Sequence, residues 1–207
     1  MQLKPGNVYS YLNSFQCSFV TTNYEKYLLP ESRKADPEHE WRFYRREQLL
    51  RGNLDRNGNV VHLHGCVDDP EGMVITTRDY LDHYSTGEVQ EFLRYLFEKK
   101  TVLFLGYGLD EIEVLEYILR RGGGGFVSEG RIRRYMLQGF FNAEKGLYDL
   151  LRDYYKDSFA TELIPFPKDH KEYAQQTEIL AAWSKTLRFG GMALADEVAA
   201  MYEEIRG

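Results

Sequence analysis

The chain has 207 residues, 43% of them hydrophobic and 14% aromatic, and a formal net charge of −6. Its length suits one domain over residues 1–207, and this apolar content excludes a disordered chain. The acidic balance argues against nucleic acid or an anionic membrane as the main partner. Two cysteines cannot build a four-cysteine zinc site, and no apolar run approaches the roughly 20 residues of a membrane-spanning helix. We therefore expect a cytoplasmic protein.

Apolar, β-branched runs alternate with amphipathic stretches along the chain. The apolar, β-branched runs predict strands. The amphipathic stretches, whose apolar residues recur every three or four positions, predict helices. Strands are predicted at 17–23, 59–65, 73–77, 101–108, 133–141 and 162–167. Helices are predicted at 40–50, 87–100, 110–121, 142–157, 171–187 and 193–206. This alternation predicts an open α/β, Rossmann-like fold, in which a mostly parallel sheet has helices on both faces.

Polar side chains and glycines stand where three of the predicted strands end. These residues are Thr21, Thr22 and Asn23, then His64 and Gly65, then Gly106, Tyr107 and Gly108. Open α/β sheets bind ligands at the carboxyl ends of their strands. An asparagine and a histidine from neighbouring strand ends can orient and deprotonate a water or a sugar hydroxyl. Glycines beside them let a nucleotide approach the main chain.

Simpler explanations exist for the same residues. Asn23 could cap a following helix. His62 and His64 fall on one face of the predicted strand and could form a buried, hydrogen-bonded pair, which composition alone favours. Together with Cys66 they form a His-x-His-x-Cys pattern that can indicate zinc. Because Gly65 is expected to end the strand and no fourth ligand is evident, no metal is predicted.

Three segments resemble successive blocks of the sirtuin-like (silent-information-regulator-like) domain. They read FVTTNYEKYL, VVHLHGCVDDPEGMVITTRDYLDHY and TVLFLGYGLDEIEVLEYIL, and the likeness covers about residues 15 to 185. The second block is the most specific, since it combines Leu-His-Gly with ITTRDYLDHY at the family's spacing. The blocks are more similar to the bacterial branch found in NAD-consuming immune effectors than to the protein deacetylases.

The resemblance implies that Asn23 and His64 are catalytic, whereas His62 matches no catalytic residue and is expected to be structural. It also implies binding of NAD along Gly106, Tyr107 and Gly108, and we expect Thr22, Glu25 and Gly65 to contact NAD beside the catalytic pair. Many relatives have aspartate where this chain has Glu25. The extra methylene affects the expected contacts to the nicotinamide amide.

The function implied by the resemblance is that of an NAD glycohydrolase, which releases nicotinamide and ADP-ribose, in bacterial antiphage defence. NAD is then the substrate, and no metal is needed, because one base and groups that hold the ribose and a water suffice. The alternative is a non-catalytic module that binds NAD or ADP-ribose, or serves as a scaffold. Protein deacylation is less favoured, because the zinc module of the deacetylases is missing. A companion sensor protein and a homo-oligomer are further expectations.

One departure from the family lies at the amino end. The family begins with a strand and a Gly-Ala-Gly-x-Ser loop that binds the diphosphate, whereas only fourteen residues precede Phe15 here and none form that loop. We therefore expect the domain to be incomplete at this end and to require an upstream segment. Residues 1–207 alone are expected to hydrolyse NAD poorly.

Overall fold

The computed structural model describes residues 6–107 and 134–186, in which parallel strands alternate with helices. This confirms the predicted α/β, Rossmann-like fold class. The chain divides into two compact units, and each is described by itself. The first unit comprises 1–48, 52–73 and 179–207, and the second comprises 49–51 and 74–178. The predicted helices at 110–121 and 193–206 and the predicted site residue Gly108 lie outside the described residues.

The first unit contains a three-stranded parallel sheet. After a short helix α1 (Val8–Leu12), its strands are β1 (Phe19–Thr21), β2 (Arg42–Phe43) and β3 (Val60–His62), in the spatial order β1-β3-β2. The central strand β3 is entirely buried, as expected for a β-branched strand with a neighbour on each side. Its pairing with β1 places Thr21 directly beside His62. The two strands therefore end together.

The second unit contains another three-stranded parallel sheet and most of the α-helices in the described ranges. Its elements in chain order are α2 (Thr77–Ser85), α3 (Gly87–Lys99), β4 (Val102–Leu105), β5 (Arg134–Phe140), α4 (Lys145–Phe159) and β6 (Thr161–Pro167), with the sheet order β4-β5-β6. Helix α5 (Ala174–Thr186) follows β6 in the chain. None of the helices in the described ranges is both long and apolar enough to cross a membrane.

The helix predicted at 40–50 is wrong. This segment contains β2 and a 3-10 turn at Arg46–Gln48 instead. Phe43 is buried and pairs with Val61 of β3. Pairing of Phe43 with the central strand thus outweighs the helical spacing of the apolar residues in this segment.

The strand predicted at 73–77 is also wrong, because this segment leads into helix α2. The hydroxyl of Thr76 accepts a hydrogen bond from the N–H of Asp79 at 3.1 Å, and the Asp79 carboxylate accepts one from the N–H of Thr76 at 2.9 Å. These reciprocal bonds form a capping box, which is a strong helix start. The polar cap therefore outweighs the short β-branched run before it.

Candidate active site

Two loops meet where β1 and β3 end. The 22–24 loop follows β1, and the 63–67 loop follows β3. The N–H of Leu63 donates to the carbonyl of Thr21 at 2.8 Å, and the N–H of Val67 donates to the carbonyl of Tyr24 at 3.0 Å. The structure therefore brings together two pairs of predicted site residues that are well separated in the chain. They are Thr22, Asn23, His64 and Gly65.

Asn23 lies in the 22–24 loop with an exposed side chain. No helix follows it, since residues 23–30 are irregular, so the capping explanation is wrong. Its main chain is held from both sides. The N–H donates to the hydroxyl of Thr21 at 3.1 Å, and the carbonyl accepts from Nδ1 of His62 at 3.2 Å. The amide side chain thus extends from a backbone that is held in place.

His64 lies in a turn, because β3 ends at His62. The expectation that both histidines share one strand face is therefore wrong. The His64 ring is half-buried, and burial lowers its pKa below the ordinary histidine value, while a hydrogen bond to the main chain of Thr22 acts in the opposite direction. The lowered pKa leaves the imidazole neutral at neutral pH, which is the form that accepts a proton.

His62 differs sharply from His64, since only 1% of it is exposed. Burial lowers its pKa, and the bond to Asn23 raises it to a smaller extent. Cys66 is buried too, but the described part of the chain contains no group of three or more histidine, cysteine or acidic side chains placed to hold a metal ion.

Gly65 adopts a conformation that other residues avoid. Its φ is +84°, and a Cβ atom there would lie 2.7 Å from the carbonyl oxygen of Gly72 and 2.9 Å from Cα of Met73. The glycine therefore lets the chain turn sharply after His64 and lets the returning segment pass against it.

Ion pairs tie the segment after Gly65 to the rest of the first unit. The Asp68 carboxylate accepts from Lys26 at 2.9 Å and from Arg42 at 3.1 Å, and Asp69 accepts from Arg45 at 2.8 Å. Lys26 and Arg42 hold the pKa of Asp68 below its usual value. The contact of Asp68 with both cations links the 63–67 loop to the chain after Asn23 and to β2.

Glu25 directs its carboxylate inward. Oε2 accepts a hydrogen bond from the N–H of Tyr27, and the Tyr9 hydroxyl is hydrogen-bonded to the same side chain. Burial, and then the charge of Glu25, raises the pKa of Tyr9 to about 12. Oε1 is buried and has no hydrogen-bond partner among the described residues.

Gly106 and Tyr107 belong to the second unit, directly after β4. Gly106 is exposed with φ +68°, and a Cβ atom there would meet none of the described residues within 4 Å. The Tyr107 ring packs edge-on against Phe104, with 5.5 Å between the ring centroids. No residue in the described ranges therefore blocks a close approach to the main chain at Gly106.

Sequence reasoning missed the part that Thr21 and His62 play in holding Asn23. A threonine two residues before an asparagine at a strand end is a usable signal for the Thr21 contact, because such hydroxyls often bond the N–H two positions on. The His62 contact has no local signal, since its partner lies 39 positions away.

Parallel strands with polar loops at their carboxyl ends define the class of open α/β domains, which bind ligands at that edge of the sheet. A family model described as the SIR2-like domain matches residues 17–124, which is more than half of the chain. The chain therefore belongs to the SIR2-like domain family, whose members use NAD. The matched region contains all the predicted site residues.

Proposed function

We propose that this protein is an NAD glycohydrolase, which cleaves NAD to nicotinamide and ADP-ribose. One observation carries the proposal: the loops that bear Asn23 and His64 are hydrogen-bonded to each other at the paired ends of β1 and β3. Membership of an NAD-using family adds the substrate. The lowered pKa of His64 adds a base that is neutral at physiological pH.

The chemistry needs few groups. When the bond between the nicotinamide nitrogen and C1′ of the ribose breaks, its electron pair neutralises the cationic ring, so no general acid is required. The ribose develops oxocarbenium character, and a water attacks C1′. His64 accepts a proton from that water and later releases it to solvent. Asn23 holds the water or a ribose hydroxyl, since its side-chain amide both donates and accepts hydrogen bonds.

Further contacts to NAD are proposed. Beside Asn23 and His64 in the first unit they come from Thr22, Glu25 and Gly65. For the second unit, taken by itself, contacts are proposed at Gly106 and Tyr107, followed by Gly108. The positive φ of Gly106, and the lack of contacts around it within the part of the chain that the structure describes, support a close approach of the nucleotide to the main chain. The buried, unpartnered Oε1 of Glu25 supports a polar role for that carboxylate.

We propose antiphage defence as the biological setting, on the likeness to NAD-consuming immune effectors. In that setting the protein is cytoplasmic, acts with a companion sensor protein, and forms a homo-oligomer. Loss of NAD from phage-infected cells that express the wild-type protein, but not His64→Ala, is the expected result. Equal NAD levels in the two cultures throughout infection would contradict this setting.

The catalytic proposal is tested by nicotinamide release from NAD. We expect His64→Ala to lower the rate about 100-fold or more, because general-base catalysis contributes about that factor. Asn23→Asp is expected to lower it at least about tenfold, because the amide donor is lost. Its unfolding free energy is expected to change by less than about 0.5 kcal/mol, since the side chain is exposed.

His170→Ala is the matched control, because it removes an exposed histidine far along the chain in the second unit. It is expected to release nicotinamide at the wild-type rate. Equal rates in wild type and His64→Ala would exclude His64 as the base. Tight binding of NAD by the wild type without any release would instead support a non-catalytic binding module.

A further inference from the structure

We propose that His62 is a positioning residue for Asn23. His62 holds the main-chain carbonyl of Asn23 and thereby sets where the Asn23 side chain meets NAD. The inference rests on the proposed function, since it gives His62 a part in the reaction that Asn23 serves. It extends the role of the buried histidine beyond filling the core.

The holding contacts come from two buried residues on paired strands. Thr21 accepts from the Asn23 N–H at 3.1 Å, and His62 contacts the Asn23 carbonyl at 3.2 Å. Thr21 is 7% exposed and His62 is 1% exposed, and they are direct partners in the sheet. Residues 23–30 have no regular structure of their own. The position of Asn23 therefore depends on the strand ends beside it.

The chemistry of the His62 ring supports a specific role. A carbonyl only accepts hydrogen bonds, so Nδ1 of His62 carries the hydrogen and Nε2 carries the lone pair. Nε2 is buried and has no hydrogen-bond partner among the described residues. An unpartnered buried acceptor lowers stability, and an apolar side chain of similar size would avoid that cost. Packing alone therefore does not account for histidine here, whereas the Nδ1–H donor does.

The neighbouring loop reinforces the arrangement. Tyr24 follows Asn23, and its carbonyl accepts from the N–H of Val67 at 3.0 Å. The carbonyl of Asn23 is thus held by β3, and the carbonyl of Tyr24 is held by the loop after β3. A displacement of a catalytic group by about 1 Å can lower a rate about 100-fold. Loss of the His62 contact is therefore expected to affect turnover more than stability.

Three substitutions at one position separate the donor from the packing. His62→Asn keeps an N–H donor near the place of Nδ1, His62→Gln moves the donor to about the place of Nε2, and His62→Leu removes it. We expect kcat for nicotinamide release to fall about tenfold or more in the Leu and Gln variants. His62→Asn is expected to stay within about threefold of wild type, and the Leu variant to melt no lower than wild type.

A second measurement does not depend on activity. Long-range proton–nitrogen NMR spectra of the wild type are expected to show His62 as the Nδ1–H tautomer. The Nε2–H tautomer in the wild type would overturn the inference. So would similar kcat values in all three variants, or kcat values that fall in the same order as the melting temperatures of the variants. Absence of NAD loss from phage-infected cells that express the wild type would overturn the proposed function and with it the positioning role, while the tautomer would still report whether the His62–Asn23 contact exists.

Discussion

At the scale of single residues, two histidines two positions apart have different environments because the strand ends between them. His62 is the last residue of β3 and is fully buried, whereas His64 lies in the following turn and is half-buried. Both have a lowered pKa, and in both the main cause is burial. Only the ring of His64 combines a neutral form with partial access to solvent. The separation of roles that we propose follows from this difference.

Gly65 permits the turn that separates these histidines. We predict that Gly65→Ala lowers the free energy of unfolding by at least about 2 kcal/mol, because it adds backbone strain at positive φ and an overlap with the main chain of Gly72 and Met73. Urea denaturation measures the change.

Gly87→Ala is the matched control for this prediction. Gly87 begins helix α3, and a Cβ atom there would meet no described residue within 4 Å. This substitution is expected to leave stability unchanged or to raise it by up to about 1 kcal/mol. A Gly65→Ala protein as stable as Gly87→Ala would show that the turn after His64 relaxes at little cost.

At the scale of elements, helix α3 shows what periodicity can predict. Its sequence places Val89, Phe92, Leu93, Leu96 and Phe97 at three-and-four spacing, and all five are buried. The helix predicted at 87–100 is confirmed almost to the residue, at Gly87–Lys99. Local sequence determines a helix that has one continuous apolar stripe. The spacing of the apolar residues gives the helical period, and the same residues form the face that is buried.

Helix α2 depends on its cap rather than on such a stripe. We predict that Thr76→Ala lowers the free energy of unfolding by about 1 kcal/mol, because the Asp79 N–H loses its side-chain acceptor. Thr77→Ala is the control, since Thr77 is exposed and stands at the first helical position. It is expected to change stability by less than about 0.5 kcal/mol. Equal losses in the two variants, measured by urea denaturation, would mean that the cap contributes nothing specific.

At the scale of the whole molecule, the buried histidines link stability to pH. An unfolded histidine titrates at about pH 6.5, and burial lowers the pKa of His62 in the folded protein. Below about pH 6.5 the unfolded state therefore binds more protons than the folded state. The free energy of unfolding is expected to fall as the pH drops from about 6.5 towards the lower folded pKa, and to gain nothing from His62 above that window.

His62→Asn removes this titration and keeps a side-chain donor. We expect its unfolding free energy to fall less than that of wild type between about pH 7 and pH 5. Urea denaturation at a series of pH values measures both curves. Parallel curves would show that the pKa of His62 is the same in the folded and unfolded states.

The fold class and the family could be predicted from the sequence, and parts of the site could not. The predictions for two segments are wrong, because the local preferences of these short segments are weak. Residues 40–50 have helical spacing, yet Phe43 pairs with the central strand, and residues 73–77 are β-branched, yet Thr76 caps a helix. A capping-box pattern at Thr76 and Asp79 was present in the sequence, whereas no local pattern showed the strand at Phe43.

The sequence by itself determined the alternation of strands and helices and the buried stripe of α3. It was also enough to recognise the Leu-His-Gly motif. Each of these features depends on residues that are near neighbours in the chain. Tertiary structure decided which of the two histidines lies inside the sheet and how Asn23 is held. Those outcomes depend on the parallel register of β1 and β3, which sets Thr21 beside His62 and joins residues 39 positions apart. Strand register arises from packing of the whole sheet, since a shift of one residue moves every side chain to the opposite face.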